Sequence, residues 1–170
     1  MEYLNENHYF TCTSGLMPAQ MRSTQNILKT KDGYNILTEK STATSQLVDF
    51  CCRWTLVLAV AIAAAGVVTG GAALLVLGIG VLAGGGLCGF MAAPFRQWIN
   101  VKGETKTKIL PTLTARAIMT CPIGGQITVA PGITGFWSGF FYTARNTTWA
   151  VAEGVFLGYT FAGGGAALTT

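Results

Sequence analysis

Five cysteines, Cys12, Cys51, Cys52, Cys88 and Cys121, are the residues of this chain best suited to building a site. Four thiolates drawn from distant segments can surround a zinc ion tetrahedrally and tie together short strands that lack a core. The candidate ligands are Cys12, Cys51 or Cys52, Cys88 and Cys121. Spacing gives this little help. No Cys-x-x-Cys pair is present, and an odd, irregular set argues against a complete disulfide framework, so buried thiols are the plain competing reading.

Other chemistry is thin. The single histidine, His8, stands beside Tyr9 and Phe10 with no partner for a relay, and reads as a strand residue. Asp32, Glu39, Asp49, Glu104 and Glu153 are dispersed, with no spacing that would hold two carboxylates across a scissile bond. Gly78-Ile79-Gly80 and Gly84-Gly85-Gly86 have no following Lys-Ser or Lys-Thr and lie in apolar surroundings, which excludes a phosphate-cradling loop. Asn146-Thr147-Thr148 fits a glycosylation acceptor by spacing only. No catalytic constellation emerges, and the expectation is a protein that is not an enzyme.

The elements that must position the cysteines divide into wet and dry parts. Charged residues make up 11% of the chain, under half of the roughly 25% usual in soluble proteins, while hydrophobic residues reach 51%. The net charge of +4 comes from scattered lysines and arginines without interleaved stacking aromatics, which speaks against nucleic acid as a partner. The start, Met1 to Glu6, is acidic and polar rather than signal-like, so synthesis in the cytosol is expected.

In the first wet part, His8 to Cys12 reads as a strand, and Asp32-Gly33 between Ile27-Leu28 and Ile36-Leu37 reads as a hairpin turn. From Trp54 to Phe95 there is no charge, with Arg53 and Arg96 as flanks. About 20 residues cross a bilayer core, so this run predicts two spans, near 54–68 and 72–93, joined at Thr69-Gly70-Gly71. Gly66 with Gly70, Gly80 with Gly84, and Gly85 with Gly89 would line a close-packing seam. Residues 96–135 return to water-compatible sequence, with a turn at Val101 to Glu104 and a strand at Gly125 to Val129. Past Gly135, the density of Phe136, Trp137, Phe140, Phe141, Tyr142, Trp149, Phe156, Tyr159 and Phe161 suits a bilayer interface or a greasy groove. The tail, Gly163 to Thr170, reads equally as the end of a fragment or as a natural terminus.

Three stretches carry a family likeness. His8 to Pro18 supplies an opening strand, a cysteine, then a glycine and a proline; Phe50-Cys51-Cys52 sits at a Phe-Gly-x-Cys position; and Ala117 to Val129 gives a strand, Cys121, Gly124-Gly125 and a final strand, with Gly132 near a terminal glycine. Leu87-Cys88, Pro94 and Trp98 match more loosely. These segments resemble the PAAR-like spike-tip proteins of type VI secretion and related contractile injection systems, in particular their cysteine-containing branch. The chain departs from the pattern in placing Cys51 where glycine is expected, which leaves the second ligand between Cys51 and Cys52, and in its long apolar insertion. The insertion resembles the membrane segments of PAAR-fused effectors.

The resulting expectation is a mixed fold, β plus membrane-type α. A small β-rich PAAR-like tip is formed by residues 1–53 and 96–135, interrupted by a transmembrane-type hairpin at 54–95 and followed by an aromatic-rich, membrane-seeking segment at 136–170. Cys12, Cys52, Cys88 and Cys121 would hold a structural zinc, with Cys51 or His8 as alternates. The resemblance implies a spike-tip and delivery module that caps a trimeric VgrG-type spike and carries transmembrane helices that aid passage of a carboxy-terminal toxin. It also implies a helix-shielding chaperone, a bacterial cytoplasmic location before firing, and delivery into the target cell and the recipient membrane. The competing expectation is a small integral membrane protein of pore, holin or immunity type.

Overall fold

Short runs of alternating side chains in the two polar halves become strands of one sheet. The computed structural model describes residues 3–46, 49–65, 79, 82–101 and 111–167. Strands β1 (Tyr9–Cys12), β2 (Ala19–Gln20), β3 (Gln97–Ile99), β4 (Ile118–Cys121) and β5 (Gly125–Val129) form an antiparallel sheet in the order β2-β1-β5-β4-β3. The first half of the chain gives two strands and the residues after the apolar run give three, so the sheet closes only when chain segments far apart in sequence meet. The two-residue period of a strand decides what faces inward. Phe10 and Cys12 on β1, Met119 and Cys121 on β4, and Ile127 on β5 are buried, joined in the core by Leu4, Leu37, Phe50 and Leu113. The Asp32-Gly33 turn forms as expected, with the Thr30 amide donating to the Tyr34 carbonyl and the Ile36 amide to that of Leu28 (2.8 and 2.9 Å).

The apolar run corrects the expected transmembrane hairpin. Among the described residues, helix α1 (Arg53–Ala65) runs for 13 residues, short of the roughly 20 that a bilayer core needs. On the far side, residues 82–86 are helical but then widen into a π-helix (Leu87–Ala92) and tighten into a 3-10 turn (Ala93–Phe95) at Pro94. Helix α2 (Phe136–Ala167) is 32 residues long, yet Arg145, Asn146, Thr147, Thr148 and Glu153 interrupt its apolar character. Among the described residues, no helix is long and apolar enough to cross a membrane. Absence of charge is not enough, because a span also needs an unbroken apolar helix, and the helical segments among the described residues are short or polar at mid-length. The expected turn at Thr69-Gly70-Gly71, the pair Gly66–Gly70, Gly80, and positions 102–104 lie outside the described residues.

Instead of facing lipid all round, α1 packs on α2. Leu56, Val57 and Val60 form a second buried cluster with Leu16, Cys51 and Ala150. Gly154 allows this approach: a Cβ there would lie 2.5 Å from Val60 Cβ and 2.8 Å from the Val57 carbonyl oxygen. The outer surface stays apolar, with Trp54, Leu58 and Ile62 on α1 and Trp137, Phe141, Trp149 and Phe156 on α2 all exposed.

Candidate functional site: a thiol corner and a three-way ring

The four expected ligands come to one end of the sheet. Cys12 ends β1 and Cys121 ends β4, on either side of β5, where Cys121 is in register with Gly125 and Cys12 with Ile127. Gly125 makes room for Cys12 Sγ itself, since a Cβ there would lie 2.5 Å from that sulfur. The chain turns at Gly15, which bridges to Cys52, while the Leu16 amide donates to the Phe50 carbonyl (3.0 Å) and the Arg53 amide to that of Ser14 (2.9 Å). Cys52 thereby enters the corner at the start of α1, and Cys88 meets it from the π-helix through a thiol–thiol hydrogen bond. All four are buried and none is in a disulfide.

Electrostatics separates the thiols. The hydrogen bond from Cys88, reinforced by the Trp54 and Thr55 amides at the start of α1, lowers the Cys52 pKa, and the same bond raises that of Cys88. Burial pushes Cys12 up to about 11, with the nearby Cys121 and Cys52 adding to the rise and Arg96 opposing it. Among the described residues, no three Cys, His, Asp or Glu side chains are gathered closely enough to hold a metal ion.

Of the alternates, Cys51 turns away. Its Sγ lies toward Gly84 of the 82–86 helical segment, and burial, with Cys52 a lesser cause, raises its pKa to about 11. Its φ of 52° is the left-handed conformation that glycine adopts most readily. His8 accepts a hydrogen bond from the Asn5 amide at Nδ1 (3.2 Å), in the turn that leads into β1.

Arg96 and Asp49 escaped the sequence reading. Arg96, expected as the flank of a membrane span, instead has a side chain 0% exposed, with Asp49 2% exposed beside it. Arg96 Nη2 donates to Asp49 Oδ2 (2.6 Å) and to the Cys88 carbonyl (2.8 Å), Nη1 donates to the Thr42 carbonyl (3.1 Å), and the guanidinium lies over the Phe50 ring at 5.2 Å. A charge closing an otherwise uncharged run was the only available signal.

A second feature lay equally hidden. Leu4, Leu37 and Leu113, all buried, close a ring of backbone hydrogen bonds: Leu4 donates to Leu113 (3.0 Å), Leu113 to Leu37 (3.1 Å) and Leu37 to Leu4 (2.9 Å). The flanking bridges, Tyr3 to Thr114, Asn5 to Ile36 and Thr38 to Thr112, repeat the same relation three times. Segments 3–5, 36–38 and 112–114 are thus related by a local pseudo-threefold axis. The shared Leu-Thr of Leu37-Thr38 and Leu113-Thr114 was its one trace in the sequence.

No family model, curated protein or solved structure matches this chain.

Proposed function

We propose that the chain is the spike-tip module of a contractile injection apparatus. It caps a trimeric spike with the β-rich domain, and a helix-shielding chaperone covers the apolar outer faces of α1 and α2 before firing. The observation that carries this reading is the pseudo-threefold ring of Leu4, Leu37 and Leu113, because a chain whose own backbone approximates threefold symmetry can offer similar contacts to three equivalent subunits. The return of residues 96–135 to complete the sheet begun by residues 1–53 supports it, as does the left-handed Cys51 at the family's glycine position.

A structural zinc belongs to the proposal. The donor set supports it in kind, with four buried thiols outside any disulfide brought to one end of the sheet. Cys12, Cys52, Cys88 and Cys121 would hold the ion, with Cys12 and Cys121 turning onto the Cys52–Cys88 pair. When bound, zinc would tie four distant segments of a small domain together.

Co-expression of the full chain with the trimeric spike protein of the same genome tests the reading. One copy per trimer is expected by native mass measurement. A folded chain that ignores the spike, or binds it once per subunit, overturns the proposal.

A further inference from the structure

Helix α2 turns polar at mid-length for a reason that its apolar seam with α1 does not supply. Thr143 and Thr148 return their hydroxyls to the helix, donating to the Gly139 and Ala144 carbonyls (both 2.9 Å). Asn146 behaves differently. It is half-buried, and its amide has no hydrogen bond among the described residues. Asparagine weakens a helix interior, so its amide at this position calls for a use outside the helix.

Tyr142, Asn146, Trp149 and Glu153 are spaced four, three and four apart, which puts them on one face of α2. That face lines a cleft of about 330 Å³, together with Gly15 and Leu16 from the turn after β1 and Arg53 from the head of α1. The volume is at the small end of the roughly 300–1,000 Å³ usual for ligand sites.

Charge in the cleft cancels. Arg53 Nη2 donates to Glu153 Oε1 (2.5 Å), so neither group is left to hold an ion of opposite sign. Arg145 lies against the Tyr142 ring but does not line the cleft. Among the described residues, Glu153 Oε2 remains to accept, the Asn146 amide to donate and accept, and the Tyr142 hydroxyl to do both. Beside these groups stands the Trp149 indole, 65% exposed.

A ligand that suits this lining is uncharged, carries many groups that both donate and accept, and has one apolar face for the indole. A pyranose ring has all three properties, with hydroxyls around its rim and a face of C–H groups that packs on an aromatic ring as other apolar surface does. A nucleobase presents polar atoms only at its edge, and an acidic sugar would meet Glu153 Oε2 with no free cation to offset it. We propose that this cleft binds a neutral sugar, with a pyranose unit stacked on Trp149 and its hydroxyls held by Asn146 and Glu153. The site depends on neither the spike nor a metal.

The test titrates the full-length chain, with nitrogen-15 in its tryptophans, against maltose, cellobiose and lactose, and follows the indole N–H signals by NMR. Trp149→Phe identifies the signal of Trp149. At least one sugar is expected to shift that signal saturably in the millimolar range, while Trp98 in the sheet and Trp137 at the start of α2 keep their positions. Asn146→Ala is expected to weaken the binding about tenfold. No saturable shift with any of the three sugars overturns the proposal, as does an equal shift of Trp98 and Trp137. Unchanged affinity in folded Asn146→Ala overturns it too, and if that variant does not fold, the wild-type titration decides alone. Adenosine and glucuronate complete the series: either one shifting Trp149 at a lower concentration than every neutral sugar defeats the assignment of ligand class.

Discussion

The sheet domain and the helix pair solve the burial problem in opposite ways. The sheet encloses its large side chains, Phe10, Phe50, Met119 and Ile127, and even buries an ion pair whose other hydrogen bonds run to the backbone, from Arg96 to two carbonyls and from the Phe50 amide to Asp49. The helix pair buries one narrow seam around Leu56, Val57, Val60 and Ala150 and leaves Trp54, Leu58, Ile62, Trp137, Phe141 and Phe156 outside. A domain that satisfies itself holds its shape alone, whereas a surface of exposed aromatics marks a place where something else binds. The two regions should therefore respond differently to substitution.

The largest effect is expected in the sheet. Asp49→Ala removes the carboxylate and leaves Arg96 as a buried, uncompensated charge, so a loss of about 3–5 kcal/mol is expected in urea unfolding. A loss under about 1 kcal/mol would mean that the pair is wet and the sheet less self-sufficient than argued. Next comes a change aimed at the helices alone. Gly154→Leu forces a side chain into Val57 and Val60, at about 1–3 kcal/mol, and should free α1 from α2 without unfolding the sheet. Hydrogen exchange reads this directly: protection should fall in α1 and around residue 154 while β1, β4 and β5 keep theirs. Equal loss in both regions would make the molecule one cooperative unit and void the contrast.

That contrast was only partly legible in the sequence. The strand patterns at residues 8–12 and 125–129 correspond to β1 and β5, because a two-residue period needs few positions to show. The ring of Leu4, Leu37 and Leu113 was not legible, since each segment contributes three residues and the relation among them exists only once the chain has folded. Arg96 misled for a different reason. A charge at the end of an apolar run has the same appearance whether it stops a membrane helix or turns inward to meet Asp49, and sequence gives no distance between positions 49 and 96. The uncharged run itself concealed a π-helix and a 3-10 turn, whose causes lie in contacts rather than composition.

Cys51 sits where the two regions join, buried with Leu16 and Leu56, and provides a pH probe of that junction. Burial raises its thiol from 9.0 to about 11, so the folded state prefers the neutral form. Stability from this source is full below pH 9, the unfolded value, and is lost as pH rises through the folded value near 11. Cys51→Ala should abolish that part of the alkaline loss, seen as a flatter fall in urea midpoint than wild type between about pH 9 and about pH 11. An identical fall in both proteins would place the titrating group elsewhere.

The smallest effect concerns the ion pair that links the helices themselves. Arg53 at the head of α1 reaches Glu153 on α2 at 2.5 Å, but the two side chains are 29% and 42% exposed, so water screens them. Such pairs contribute roughly 0.2–1 kcal/mol, against the several expected for the enclosed Asp49–Arg96 pair. Glu153→Gln preserves shape and removes only the charge, so the cost should stay under about 1 kcal/mol and shrink further in high salt. The two arginines flank the same uncharged run, and burial alone separates their roles: Arg96 organises an interior, while Arg53 orients a pair of helices held mainly by their apolar seam. If Glu153→Gln proved as damaging as Asp49→Ala, the helices would depend on that charge, and their packing through Gly154 would no longer explain how they stay together.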